Sequence, residues 1–254
     1  MRWNTHRRIL SSVLRSVDYE FPAAFVRGLL KGIIEPDSIP DYVYIAVRRR
    51  RRRYTKAVPA RQHGGVDPAL VKYYTHLALY HYRRGELYDA GRALGRAIHY
   101  LQDGVLKRTK WLILDIHERL EEEVDQLSQS SLSELMKACT RIDVKIKISN
   151  EPSEVLCYAI KNTYNVLKWF TSELEKDIDK ASVMKRVRRA RLIKTLVGSI
   201  LALSGLGLLV LNFIASIFLF VVALIVASYT SQSYWEAFRA GLMKIKLSRY
   251  RTAM

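Results

Sequence analysis

The stretch GRALGRAIHYLQD, Gly91–Asp103, decides the fold. Six of its thirteen positions hold Ala, Leu or Arg, residues that favour a helix. It ends with His99 and Asp103, four residues apart in the most apolar part of the segment. Four residues make about one helical turn, so both side chains lie on the same side of the helix. The pair is therefore either a hydrogen bond on the helix surface or part of a metal site.

Helical patterns dominate the chain on both sides of this stretch. The segments predicted to be helical are Thr5–Val17, Pro22–Ile34, Val66–Arg84, Glu86–Asp103, Trp111–Gln126 and Glu154–Lys180. The loops EPDSIPD, residues 35–41, and PARQHGGVDP, residues 59–68, separate some of them. Only Ile142–Ile148 has a pattern suited to a short strand. The sequence therefore predicts an all-α fold, with a helical domain over residues 1–182.

The charge of the chain points to an anionic partner. Its 254 residues carry a formal net charge of +18, which is typical of proteins that bind nucleic acid or an anionic membrane surface. The basic residues concentrate in an arginine run, in residues 185–194 and in the C-terminal tail. The arginine run is the candidate anion-binding segment, and it consists of Arg48, Arg49, Arg50, Arg51, Arg52 and Arg53.

The cysteines and the N-terminus indicate a reducing compartment. Cys139 and Cys157 are the only cysteines, and neither belongs to a CxxC pair. Two cysteines outside any such motif do not form the pattern of a disulfide framework, so we expect both thiols to be reduced. The first ten residues, MRWNTHRRIL, contain no apolar core of a secretory signal peptide.

A long apolar segment follows the helical domain. Leu196–Ala227 contains 32 residues without a charge, and as one straight helix it would be about 48 Å long, against a hydrocarbon core of about 30 Å. This length favours a transmembrane hairpin of two short spans, near residues 192–209 and 212–229. Basic residues flank both sides, which would place both flanks in the cytoplasm. The alternative is one span over residues 206–228, with residues 192–204 lying along the interface.

This pattern divides the chain into four regions. They are the helical domain at 1–182, a basic juxtamembrane segment at 183–194, the transmembrane segment at 195–229 and a basic tail at 230–254.

The histidines suggest a metal site inside the helical domain. His117 and Glu121 repeat the four-residue spacing of His99 and Asp103, so two helices could face each other across a bundle with two ligands each. Loop residues would add ligands, namely Asp37, Asp41 and His63. We interpret His76 and His81 as packing or surface residues. A tetratricopeptide-type helix pair is an alternative, but only one unit is visible where about three are needed.

The motif LGRAIHYLQD, Leu94–Asp103, resembles the signature helix of the superfamily of zinc-dependent phospholipases C and single-strand-specific nucleases. Those enzymes are all-helical and bind three zinc ions in a cleft. Single-residue matches extend the resemblance over residues 1–125: Trp3 and His6 in WNTH, Asp37 or secondarily Asp41, His63, and His117 with Glu121.

The sequence departs from the family in two places. The family's N-terminal Trp gives its amine and carbonyl to one zinc, whereas Trp3 here follows Met1 and Arg2. The family also has a His about six residues after the signature Asp, and GVLKRTK after Asp103 contains none.

The resemblance implies a helical bundle of this type with one to three Zn²⁺ ions. The implied metal ligands are His6, Asp37, His63, His99, Asp103, His117 and Glu121. Asp37 or Asp41 would ligate the metal and orient the attacking water, and Asp103 would bridge two ions.

The implied substrate is a phosphodiester. Attachment to the membrane favours a lipid headgroup, so we expect an integral membrane phosphodiesterase with its catalytic domain in the cytoplasm. The alternatives are a membrane-tethered nuclease of the same fold, and a non-catalytic basic adaptor that binds anionic lipid or nucleic acid.

Overall fold

The computed structural model describes residues 1–49, 52–60, 67–106, 110–111, 114–141, 148–208, 213–228, 232–246 and 250–252. The chain forms two compact units. Unit 1 comprises Met1–Lys176 with Lys246–Met254, and unit 2 comprises Asp177–Ile245. The structure is mostly helical, which agrees with the predicted class. The helices of unit 1 are α1 Trp3–Ser16, α2 Ala23–Gly32, α3 Glu35–Ser38, α4 Pro68–Arg83, α5 Leu87–Asp103, α6 Ile116–Ser130, α7 Leu132–Arg141 and α8 Pro152–Leu174.

Helix α5, which contains the signature stretch, lies at the centre of unit 1. It packs against α2, α4 and α8, and almost all of its second half is buried. Two glycines allow the close approach of α2. A Cβ on Gly28 would lie 2.0 Å from the Tyr88 carbonyl oxygen, and one on Gly91 would lie 2.0 Å from that of Phe25. Gly28 of α2 and Gly91 of GRALGRA are therefore needed, because the two helix backbones touch there.

The ends of α4 follow from local sequence. The Asp67 side chain accepts a hydrogen bond from the Ala69 amide at 3.0 Å, which caps the helix, and Pro68 occupies its first position. Gly85 follows α4 with a φ of 79°, a left-handed conformation that suits glycine. This tight turn makes α4 and α5 neighbours.

A β-hairpin, which the sequence analysis did not predict, follows α3. Strands β1 Tyr42–Arg49 and β2 Arg52–Pro59 pair antiparallel, from Tyr42 opposite Pro59 to Arg49 opposite Arg52. The short strand β5, Tyr250–Arg251, pairs with the start of β1. Tyr, Val and Ile favour strands, but the adjoining arginine run hides their alternation.

Two other predicted boundaries need comment. The helix predicted from Trp111 begins only at Ile116, because β3 Lys110–Trp111 and β4 Leu114–Asp115 pair before it. Except for Ile148, the predicted strand Ile142–Ile148 lies outside the described residues.

The expectation of reduced cysteines is wrong for this structure. Cys139 on α7 and Cys157 on α8 form a disulfide, with their Cα atoms 5.3 Å apart. A CxxC pair is not required, since the packing of α7 against α8 brings the two residues together.

Unit 2 contains α9 Lys180–Leu208, α10 Phe213–Ser228 and α11 Gln232–Arg239. Helices α9 and α10 pack together, and the Ser216 hydroxyl donates to the Gly205 carbonyl at 2.6 Å. Among the residues that the structure describes, no helix is both long and apolar enough to cross a membrane. The predicted transmembrane hairpin therefore gains no support, and it stays a prediction. Residues 209–212 and 229 of that segment lie outside the described residues.

Candidate metal centre

Three helices of unit 1 bring two histidines and two aspartates together. His6 lies on α1, Asp37 on α3, and His99 and Asp103 one turn apart on α5. One ligand atom each from His6, Asp37 and His99 lie within 4.8 Å of one another. Both histidines and Asp103 are buried, whereas Asp37 is partly exposed. Asp37 and Asp103 also line a cleft of about 500 Å³ that opens beside them.

The tautomer of His99 follows from its hydrogen bond to the backbone. Its Nδ1 lies 2.8 Å from the Ile33 carbonyl oxygen, which can only accept, so Nδ1 carries a proton. Burial lowers the pKa of His99 to about 3, so the ring is neutral and Nε2 carries a lone pair. That lone pair faces Asp37 Oδ1 and Asp103 Oδ2, each 3.4 Å away. Three such acceptors facing one another need a proton, a water molecule or a bound cation between them.

His6 has a similar environment. Its Nδ1 lies 2.6 Å from Gln102 Oε1, and the Gln102 amide nitrogen donates to the Thr163 hydroxyl at 2.8 Å. Its Nε2 lies 3.2 Å from Asp103 Oδ1. Nε2 of His6 and Nε2 of His99 are buried, and neither has a hydrogen-bond partner in the described part of the chain. Buried polar atoms are rarely left in this state without a missing group.

The two aspartates differ in charge state. Burial and the Asp103 carboxylate raise the pKa of Asp37 to about 6. Burial also works against a charged Asp103, but the Met1 amine and His6 outweigh it and hold the pKa of Asp103 well below its usual range. Asp103 is therefore the permanent anion at the centre of the group, and Asp37 is the acid that can exchange a proton with the cleft.

The α-amine of Met1 lies against the same aspartate. It donates to Asp103 Oδ1 at 2.6 Å and to Glu121 Oε1 on α6 at 3.1 Å. Burial opposes the charged amine, but Asp103 and Glu121 raise its pKa above the usual value. In the enzymes that the sequence resembles, an N-terminal Trp supplies an amine at this place, whereas Trp3 here follows Met1 and Arg2. Trp3 instead donates from its side chain to Asp37, and half of its surface is exposed.

Asp41 lies in a separate buried network. It accepts hydrogen bonds from the Tyr74 hydroxyl at 2.6 Å, the Tyr100 hydroxyl at 2.7 Å and the Arg96 guanidinium at 2.9 Å. Arg96 also donates to Glu35 at 3.0 Å and to the Ile39 carbonyl at 2.9 Å. Of the two loop aspartates, only Asp37 reaches the histidines.

Other predicted site residues lie outside what the structure describes. His63 falls within residues 61–66, which are not described. His117 belongs to α6, but its side chain is not described, and the same holds for the hairpin arginines. Arg48, Arg49, Arg52 and Arg53 occupy paired strand positions, and Arg50 and Arg51 are outside the described residues.

Sequence reasoning missed Gln102, Arg96 and the Met1 amine. Gln102 directly precedes Asp103, and a polar residue in such an apolar stretch was a usable signal. Arg96 lies three residues before His99, on a helix side that had to be buried, so it required acidic partners. The EPDSIPD loop contained three candidates.

Comparison of the whole chain with protein-family models, characterised proteins and solved structures returned no match.

Proposed function

We propose that the chain is a membrane-attached, metal-dependent phosphodiesterase of phospholipase C type. The observation that carries the proposal is the pair of buried Nε2 atoms of His6 and His99, both aimed at carboxylates. Two imidazoles with one or two carboxylates form a common ligand set for Zn²⁺. The residues present thus fit one zinc ion, held by His6, Asp37, His99 and Asp103.

The supporting shell favours a metal ligand role for the histidines. A metal-binding His usually donates its other ring N–H to a carbonyl or carboxylate, which fixes the ring orientation. His99 donates to the Ile33 carbonyl, and His6 approaches the Gln102 side-chain carbonyl. Each ring is therefore held with Nε2 directed at the aspartates before any ion binds.

The chemistry proposed for the site is hydrolysis of a phosphodiester. Bound Zn²⁺ would act as a Lewis acid and lower the pKa of a coordinated water to about 7. Asp37 is partly exposed on the cleft, so its carboxylate could orient a water beside the ion. Arg2, about half exposed on the same cleft, could bind a phosphate oxygen.

Membrane attachment is proposed from the composition and surface of unit 2. The described part of α9 carries largely exposed Leu192, Ile193, Ile200 and Leu203, and six basic residues lie within 185–194. Apolar side chains next to a basic run are typical of segments that enter or lie on an anionic bilayer. A substrate within the lipid headgroups, and a cytoplasmic position for unit 1, belong to this proposal.

Zinc content tests the proposal directly. The purified full chain, dialysed free of loose metal, should retain at least one zinc per chain, and His99→Ala should lose it. His81→Ala is the matched control, because His81 is a partly buried histidine on α4 that bonds Glu86 away from the site.

Hydrolysis assays on lipid and on single-stranded DNA test the substrate. The wild type should hydrolyse a phospholipid headgroup ester, and His99→Ala should not. Less than one zinc per chain in the wild type, unchanged in His99→Ala, would refute the proposal. Hydrolysis of single-stranded DNA but not of lipid would assign the site to a nuclease instead.

A further inference from the structure

We propose that the mouth of the metal cleft and the β1–β2 hairpin form one docking face for an anionic lipid bilayer. The docking face consists of Trp3, Ile39, Tyr42 and Tyr44 together with the arginines that occupy paired strand positions, Arg48, Arg49, Arg52 and Arg53. The inference deepens the proposed function by naming where the substrate membrane is bound. Binding to the bilayer can be measured without metal and without catalysis. The docking face can therefore be refuted while the proposed function stands, and the reverse.

The exposed apolar residues of unit 1 carry the first part of the inference. In its described part, the large apolar side chains that remain exposed are Trp3 (53%), Ile39 (50%), Tyr42 (36%), Tyr44 (39%), Tyr88 (45%) and Ile148 (48%). Trp3 lies at the cleft, Tyr42 and Tyr44 belong to the hairpin, and Ile39 lies in the segment that joins Asp37 to the hairpin. Trp3 lines the cleft and bonds Asp37, and Ile39 follows Asp37 by two residues.

These residue types suit the boundary between water and lipid. Trp and Tyr combine an apolar ring with a polar end, and they are enriched at the headgroup level of membranes. Apolar residues gathered in one region of a surface mark an interaction site, whereas scattered ones do not.

The hairpin carries the second part. Strand β5 pairs only with Tyr42 and Val43, so from Tyr44 onward β1 pairs with β2 alone in the described residues. The paired part beyond β5 spans six residues, or about 20 Å. A two-stranded ribbon of this kind is marginally stable by itself in water.

The arginines at the end of this ribbon would weaken it further. Arg48 is opposite Arg53 and Arg49 is opposite Arg52 in the strand register. Like charges at directly opposite positions destabilise a β-pair. An anionic surface would remove this repulsion, since each basic residue near anionic lipid contributes roughly 1 kcal/mol, or about fivefold in affinity.

The apolar members of the docking face favour a bilayer over nucleic acid. Ile39 offers no stacking surface to a base and no charge to a phosphate, whereas it fits the boundary of lipid headgroups and acyl chains. The exposed leucines and isoleucines of α9 show independently that the chain carries other surfaces suited to lipid.

The root of the hairpin connects docking to the metal site. Residues 35–41 contain both Asp37 and the approach to β1, and the Ala60 amide closes the root by donating to the Asp41 carbonyl at 2.6 Å. Arg96 holds the same segment through Glu35 and Asp41. A bilayer bound to the docking face would therefore lie next to the segment that carries Asp37.

A fluorescent label at position 44 tests the docking face in the full chain. Tyr44→Cys, labelled with an environment-sensitive dye, is mixed with lipid nanodiscs of phosphatidylcholine with or without roughly 30% phosphatidylglycerol. Tyr88→Cys, exposed on α5, is the matched control. The anionic discs should reduce acrylamide quenching at position 44 by roughly threefold or more, because the dye enters the headgroup region. Quenching at position 88 should not change.

A second variant tests the role of the arginines. The combined replacement Arg48→Gln, Arg49→Gln, Arg52→Gln and Arg53→Gln should abolish the protection at position 44, and so should high salt. Equal quenching at positions 44 and 88 in anionic discs would overturn the inference. So would protection that is the same in neutral discs, or protection by single-stranded DNA at lower concentration than by anionic lipid. The zinc content of the same samples separates the two proposals. Bound zinc without reduced quenching at position 44 would refute only the docking face. Reduced quenching at position 44 without bound zinc would refute only the metal site.

Discussion

Replacement of Asp41 by alanine should destabilise unit 1 in the absence of any metal. Asp41 is fully buried and accepts bonds from Tyr74, Tyr100 and Arg96. Asp41→Ala leaves two hydroxyl donors without this acceptor, at about 1–3 kcal/mol each. Breaking one partner out of a buried ion pair costs about 3–5 kcal/mol. Arg96 keeps Glu35, so these contributions overlap, and we expect a loss of about 4 kcal/mol in the free energy of unfolding.

Asp37→Ala is the contrasting variant. Asp37 is partly exposed and faces the like charge of Asp103, so its removal should change the metal-free stability by less than about 1 kcal/mol. It should instead abolish the stabilisation that added zinc gives the wild type, which follows RT ln(1 + [Zn]/Kd). Tyr100→Phe removes only one donor to Asp41, and should fall between the two at about 1–2 kcal/mol.

The assay is denaturant unfolding with and without a chelator. A Trp235→Phe background leaves tryptophans 3, 111 and 169 as probes, all in unit 1. A metal-free stability of Asp41→Ala within about 1 kcal/mol of the wild type would refute the reasoning, because typical surface substitutions have effects no larger than that. Loss of zinc binding in Asp41→Asn with full metal-free stability would return Asp41 to the ligand set.

Further predictions concern packing, the disulfide and the support of the site. Gly95→Ala should lose about 1–3 kcal/mol by denaturant unfolding, because a Cβ there would lie 2.5 Å from an α2 backbone oxygen. Gly198→Ala, with nothing within 4 Å of its Cβ, should be neutral or stabilising. Cys139→Ser with Cys157→Ser should lower stability by about 3 kcal/mol, as expected for a closed loop of this length; unchanged unfolding would contradict this. Gln102→Leu should weaken zinc binding about 10- to 100-fold in a chelator competition assay, with the unit still folded by circular dichroism.

The helices were predictable because their signals are local. The segment at Leu87–Asp103 and the turn at Gly85 follow from composition and from one glycine whose conformation suits a helix end. The hairpin was missed because a strand depends on its partner, and β1 pairs with β2 across an arginine run that looks like a loop. The disulfide was missed for a related reason, since it depends on how α7 packs against α8 and not on a cysteine motif.

The residues of the candidate site also fall into two groups, those that local sequence predicts and those that depend on contacts between helices. The pairing of His99 with Asp103 is visible in the sequence, because one helix fixes their spacing. The addition of His6 required a contact between α1 and α5, and only the family resemblance suggested it. The Met1 amine carries no sequence signal, since every chain has one, and only burial beside Asp103 and Glu121 distinguishes it.

The choice between Asp37 and Asp41 shows what spacing alone cannot decide. Both aspartates lie in one seven-residue loop before the hairpin, and either could face the histidines. Arg96 breaks this symmetry, because a fully buried guanidinium needs carboxylates and takes Glu35 and Asp41 from the two ends of the loop. With both ends bound, Asp37 between them is the acid left to face His99. The residue that selects the candidate metal ligand is thus an arginine outside the candidate site, and the stability assay on Asp41 tests that selection without any metal present.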